Sequence, residues 1–397
     1  LPCAHRLLRS CFVIAIFSVA HVASAGVVVE HRGAYDTVTS TIESFSVEVP
    51  DAQREYGISV TAILDSGSGS LRVLDRGGEM VYQHLWSTRY SQERSRFPNT
   101  GPGAYTMEAT VENARGEWRA RVVALPARAS LKWTYASAGL LIVLPLLIVA
   151  IAHRRGATIK FAAAGAAMFL IGRVIWFVGA IALDIAARFT LEDSISYGAF
   201  LWVQSILLGA WQGCAATLAV IVVAMLVRSL REKPAHAIAA GIGGGALEML
   251  VTGAVSVLGL LGMFGGGPKS DQAQFLLAYD MAVTPLLPLA DPVILAVQTI
   301  CGVAATTLVV HGLRTRSSGP VFGGMVIFGA VLTAVGASRT LSLFGSESRW
   351  AILAVLAPVA AWSYVLLRRN LLAWVESPRE GETALDAFTR EHEAGID

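Results

Sequence analysis

Seven apolar stretches, each about twenty residues or longer, follow one another between residues 134 and 369, at 134–152, 159–182, 197–227, 234–264, 291–313, 319–341 and 350–369. A hydrocarbon layer about 30 Å thick is crossed by about 20 helical residues, and only a helix satisfies its own backbone there. That spacing leaves one architecture, a polytopic α-helical membrane bundle of seven helices. The chain as a whole agrees: 54% of its 397 residues are hydrophobic.

The rest of the chain divides around this bundle. Residues 1–25 read as a secretory signal peptide, with His5, Arg6 and Arg9 as the basic region, Cys11 to Ala20 as the apolar core and Ala23-Ser24-Ala25 as the cleavage site. Residues 26–132 show short alternating runs separated by turn formers such as Asp65-Ser66-Gly67-Ser68-Gly69 and Asn113-Ala114-Arg115-Gly116. Six or seven strands in that length predict a small all-β sandwich, exported and free of cysteine, since the four cysteines are Cys3, Cys11, Cys214 and Cys301. The stretch Gly101 to Leu125 loosely resembles extracytoplasmic sandwich modules of the GOLD type. The seven-helix domain then covers 133–370, and an acidic cytoplasmic tail covers 371–397.

Charge orients the bundle. Cleavage of the signal puts the new N-terminus outside, so the first span runs inward. The loops this places inside carry Arg154, Arg155, Lys160, Arg228, Arg231, Lys233, Arg314, Arg316, Arg368 and Arg369, whereas those outside carry Arg188, Lys269 and Arg349. That asymmetry is the positive-inside rule, and it predicts the cytoplasmic membrane of a bacterium with the β domain on the outer face. Between the fourth and fifth spans, Phe275 to Ala290 is apolar but too short to cross, which predicts a helix at the outer interface. Asp291-Pro292 has the pattern of a helix N-cap followed by a first-turn proline.

Chemistry concentrates at one depth. Glu248 is the one acidic residue between Pro234 and Phe264, and a carboxylate in hydrocarbon costs several kcal/mol unless it faces a partner. Counted from the basic residues that anchor the inner ends of their helices (Lys233, Lys160, Arg228 and Arg314), Glu248, Arg173, Gln212 and Gln298 lie 13 to 16 residues in. At about 1.5 Å per residue all four sit roughly 20 to 24 Å from the inner surface. Four helices thus present their least lipid-compatible side chains at one level, which predicts that Arg173 and Glu248 are paired or share a wet pocket beside Gln212 and Gln298. Cys214 and Cys301 fall near the same depth. Two outcomes stay open for the pair, a structural ion pair that fixes helix register and a functional site.

The glycines of Gly241-Ile242-Gly243-Gly244-Gly245 precede Glu248, and Gly241 and Gly245 have the small-xxx-small spacing of close helix contact. His153, His236 and His311 lie near basic loops, and no His/Cys spacing of a tight metal site is present, so neither a metal nor another cofactor is expected. Nor does any basic stripe point to nucleic acid. The implied partners are the lipid bilayer and a membrane-protein or peptide ligand or substrate.

Gly241 through Glu248 resembles the signature helix of the YhfC-like glutamic intramembrane proteases, relatives of the CAAX-processing membrane proteases. The order of elements from about 135 to 370 agrees with it. The resemblance implies an intramembrane hydrolase with Glu248 as the water-activating carboxylate, assisted here by Gln212 and Gln298. The chain departs from the family pattern at Gly244, where the family has histidine, and at Gln212-Gly213, where it has paired glutamates. A bundle of this kind, with hydrolysis either kept or lost, is one expectation; a non-enzymatic sensor or scaffold whose β domain binds a periplasmic partner is the other.

Overall fold

In the computed structural model, residues 27–49, 54–98, 101–126, 131–154, 158–192, 194–264, 267–283, 287–341 and 348–376 are described. The expected signal peptide and the part of the expected tail beyond 376 lie outside them. The first domain is four long strands, β1 (Val27–Val49), β2 (Tyr56–Leu74), β3 (Met80–Arg96) and β4 (Gly103–Ala124), in one antiparallel sheet of order β1-β4-β2-β3.

This corrects the expected six or seven short strands. The segments 65–69 and 113–116 are irregularities inside continuous strands, where the β2 and β4 registers slip. Gly67 (φ +85°), Asn113 (φ +49°) and Gly116 (φ +133°) adopt the positive φ that a bulge shares with a turn. At these bulges the sheet bends over its own core. Trp86 and Trp118 come from opposite sides of the bend, yet their rings stack 6.2 Å apart. Val47, Ile58, Leu71, Tyr105 and Met107 fill the space around them.

Eight helices follow: α1 (Leu131–Arg154), α2 (Ile159–Leu191), α3 (Tyr197–Leu226), α4 (Pro234–Phe264), α5 (Pro268–Val283), α6 (Ala290–Thr315), α7 (Ser318–Leu341) and α8 (Ser348–Glu376). All but α5 are long and apolar enough to cross a membrane. Five of them close a ring in the order α2, α4, α6, α7, α3, with α1 packed outside on α4 and α8 outside on α6 and α7.

Glycine sets the ring's tightness. A Cβ on Gly165 would lie 1.7 Å from the Ala240 carbonyl oxygen, and one on Gly243 would lie 2.0 Å from that of Ala162, so α2 and α4 touch backbone to backbone. Gly241 and Gly245 meet Val303 and Thr299 of α6 in the same way, and Gly209 and Gly213 meet α7.

Two helix boundaries differ from expectation. α6 starts at Ala290, after a 3₁₀ turn at Leu287–Leu289, so Asp291 stands in the first turn and is not the cap. α8 runs to Glu376, six residues into the expected tail, because Trp374 (2% exposed) packs in the cluster that fills the inner end of the bundle.

The short helix expected over Phe275 to Ala290 is α5, displaced to Pro268–Val283, and one face of it is covered by protein. Phe275, Tyr279, Ala282 and Val283 pack on Val123 of β4 and on Leu125 just past its end. The Tyr279 hydroxyl hydrogen-bonds the Ser59 hydroxyl at 2.6 Å, and Arg94 donates to Asp280 at 2.8 Å. Gly57 leaves the room: a Cβ there would lie 2.8 Å from the Tyr279 ring. The sheet domain also reaches the link between α2 and α3, where Arg89 pairs with Glu192 at 2.9 Å and the Asp65 carboxylate accepts the Tyr197 backbone N–H at 3.0 Å.

Candidate functional site: a polar cavity inside the helix ring

α2 and α4 run in the same direction. The Gly165 contact aligns residue 165 with 240, an offset of 75, and the same offset aligns Arg173 with Glu248 two turns further out. The register set by glycine packing therefore delivers the guanidinium to the carboxylate, and Arg173 Nη2 donates to Glu248 Oε1. Arg173 also lies over the rings of Phe169 (5.0 Å) and Trp176 (5.9 Å), whose faces attract a cation.

The pair borders a cavity of about 560 Å³ enclosed by the ring. Gln212 of α3 and Gln298 of α6 line it too, so all four residues of the predicted polar layer share one space. The side chains of Arg173 and Glu248 remain 37% and 25% exposed, and both line the cavity. Gln212 Oε1 is buried and has no hydrogen-bond partner among the described residues.

Sequence reasoning missed Asp291 and Thr252, which line the same cavity. Contacts of Gly245 with Thr299 and of Gly241 with Val303 make α4 and α6 antiparallel and place Asp291 opposite residue 253. It stands roughly one turn outward of Glu248, about 7 Å along the axis. The signal was available: an acidic residue at the start of a span that faces its neighbours sits at the mouth of whatever they enclose. The opposite end is shut. Met168, Val220 and Ala240 line the cavity and belong to the apolar cluster that continues through Val223, Val310 and Trp374 to the inner surface.

Other expectations fall away from this site. Cys214 points outward, 3.8 Å from the Met325 sulfur, and Cys301 is buried on the far face of α6, so neither borders the cavity. His311 is buried against Trp374 near the inner end, and His236 stacks on Phe161 with Nδ1 2.7 Å from the Ser229 carbonyl oxygen. Of the signature glycines, Gly241, Gly243 and Gly245 serve helix contact. Gly244 faces the cavity, and its nearest neighbour to an added Cβ is 3.2 Å away. No group of three or more His, Cys, Asp or Glu residues placed to hold a metal occurs among the described residues.

The arrangement offers a charge pair, two amides and a second carboxylate between apolar walls of Phe169, Ile294, Phe328, Val331 and Leu332.

No family model and no curated protein matches the chain. Among solved structures, the chain is similar over 23% of its length to the carbohydrate-binding module TmCBM61, described in complex with beta-1,4-galactotriose, at 20% identity and a TM-score of 0.19, covering 67% of that chain. Over 24% of its length it is similar to the enzymatically active domain of tailspike protein 4 of bacteriophage CBA120, at 15% identity and a TM-score of 0.14, covering 19% of that chain.

Proposed function

We propose that this chain is a bacterial inner-membrane protein whose bundle has the layout of an intramembrane protease and uses its cavity to bind a membrane-embedded ligand without hydrolysing it, while the exported β domain recognises a periplasmic partner. The orientation rests on the charge asymmetry of the loops together with the position of the sheet domain, which contacts the Glu192–Tyr197 link and α5, both at the end opposite the basic loops.

One observation carries the non-hydrolytic reading. Glu248, the carboxylate that would activate water, is bonded to Arg173, and Gly244 beside it contributes no acid or base. General acid–base catalysis needs a group free to take and return a proton within hydrogen-bond reach of the substrate. A carboxylate neutralised by a guanidinium serves better as half of a dipole that orients a polar ligand.

The hydrolytic alternative keeps one supporting feature, the placement of Gln212 and Gln298 in the wall of the same cavity as Glu248. Comparing membrane-protein fragments from cells carrying the wild type and Glu248→Gln decides between the two. Identical fragment patterns at equal protein levels are expected. Fragments that depend on Glu248 would overturn the binding reading and restore the protease.

A further inference from the structure

α5 is joined to both helices that carry the cavity's carboxylates. At its start, Ser270 and Gln274 donate to the Met263 carbonyl at the outer end of α4, the Gln274 bond being 2.8 Å. At its end, the chain turns through Leu287–Leu289 into α6, whose first turn holds Asp291 in the cavity wall. The outward face of this strap is held by the sheet domain through Tyr279–Ser59, Arg94–Asp280 and the Arg94 guanidinium 5.4 Å from the Tyr279 ring centre.

The same domain holds the outer ends of α2 and α3. Asp65, projecting from the β2 bulge, caps the first N–H of α3, and Arg89 reaches Glu192 from a backbone with φ +84°, a conformation a bulky side chain adopts only where surrounding contacts hold it. Four of the five ring helices therefore have outer ends tied, directly or through α5, to one rigid sheet.

We propose that the exported domain gates the cavity: its grip on α5 keeps the outer mouth between Thr252 and Asp291 narrow, and release of that grip opens it to the exported side. This rests on the cavity's being a ligand site, as proposed above. A periplasmic partner that competes for the Ser59–Arg94 face of the sheet would then favour ligand entry, and by linkage ligand entry would favour that partner.

The test places a reporter at Gly302, a cavity-lining glycine whose added Cβ would have no neighbour within 4 Å. Gly302→Cys, in a full-length chain with the four native cysteines replaced by alanine, is labelled with a membrane-impermeant thiosulfonate applied from the exported side. Arg94→Met severs the Asp280 contact, and Gly57→Ala wedges Tyr279 away without removing any contact group. Each is expected to speed labelling by about fivefold or more, the lower end of ordinary coupling between sites. The exchanged pair Arg94→Asp with Asp280→Arg is expected to restore the slow rate, and Ile42→Ala, exposed on the distal half of the sheet, to leave it unchanged.

Labelling that proceeds at one rate in all of these proteins would overturn gating while leaving the cavity intact. A Gly302→Cys thiol that stays unlabelled in every variant yet reacts once the protein is denatured would overturn the wet cavity, and gating with it.

Discussion

Replacing one member of the Arg173–Glu248 pair leaves the other charged inside the ring, and the cost is bounded from both sides. Two unit charges about 4 Å apart interact by about 4 kcal/mol at an effective dielectric of about 20. Losing one partner of a fully buried pair costs about 3–5 kcal/mol, whereas exposed pairs are worth about 0–1 kcal/mol. With side chains 37% and 25% open to the cavity, this pair lies between those limits. Water there screens the attraction and solvates the survivor, which puts Glu248→Gln and Arg173→Met at about 2 kcal/mol each. For a bundle of this size that lowers Tm by roughly 4–8 °C. The double substitution removes the orphaned charge, so its Tm should lie near that of either single variant and well above the sum of their losses. Thermal melts of the detergent-solubilised chain, followed by tryptophan fluorescence, supply the cycle. Additive losses, with a coupling energy below about 0.5 kcal/mol, would show that the two groups do not pair and would remove the basis of the polar layer.

Three further outcomes are expected. Gly243→Ala should destabilise the bundle by about 1–3 kcal/mol, because its Cβ meets the Ala162 carbonyl at 2.0 Å, whereas the adjacent Gly244→Ala should cost less than about 0.5 kcal/mol; equal losses in thermal melts would refute the close approach of α2 and α4. Gly67→Ala should weaken the sheet domain more than Gly78→Ala although both have positive φ, since only the former meets backbone, with Asn113 O at 2.4 Å; proteolytic susceptibility of the sheet domain checks the order. Burial pushes the Tyr82 hydroxyl up to about 12, so its contribution to stability is complete below pH 10 and is lost as pH rises toward 12. Alkaline unfolding followed by circular dichroism should therefore start above pH 10 and shift upward in Tyr82→Phe, and an unshifted transition would contradict the burial of that ring.

Much of the site was legible because a membrane-spanning helix has a fixed rise. Distance in residues from Lys233, Lys160, Arg228 and Arg314 is distance in space, and it placed Glu248, Arg173, Gln212 and Gln298 at one level before any packing was known. Packing direction was not legible at Cys214 and Cys301, which share that depth but face away, since depth says nothing about rotation about the helix axis. The bent sheet was hidden for a different reason. Asp65 to Gly69 and Asn113 to Gly116 carry turn chemistry, and positive φ at Gly67, Asn113 and Gly116 serves a bulge as well as a hairpin. On β4 the alternation marks two faces without showing which is solvated. Arg119 and Arg121 alternate with Trp118, Ala120 and Val122 as a solvent face would, yet they are 5% and 2% exposed and bonded to Glu30. A strand pattern marks the two faces of a sheet but does not say that a second layer will cover the polar one.

The glycines before Glu248 explain why a charge pair stands beside empty space. Gly241 and Gly245 turn toward α6 and Gly243 toward α2, so α4 comes into backbone contact with both neighbours, and side chains of ordinary size would force the ring apart. Tight walls alone would favour a filled interior, because a packed core is more stable than a hollow one. Yet at Gly302 of α6 an added Cβ would find no neighbour within 4 Å, and Gly244 has only ordinary or slightly close neighbours. Side chains at those two positions would fill part of the cavity without prying the helices apart. Their absence leaves room against Arg173 and Glu248, a choice that helix packing does not require and that stability opposes. A space kept open at such a cost is what the proposed ligand site requires.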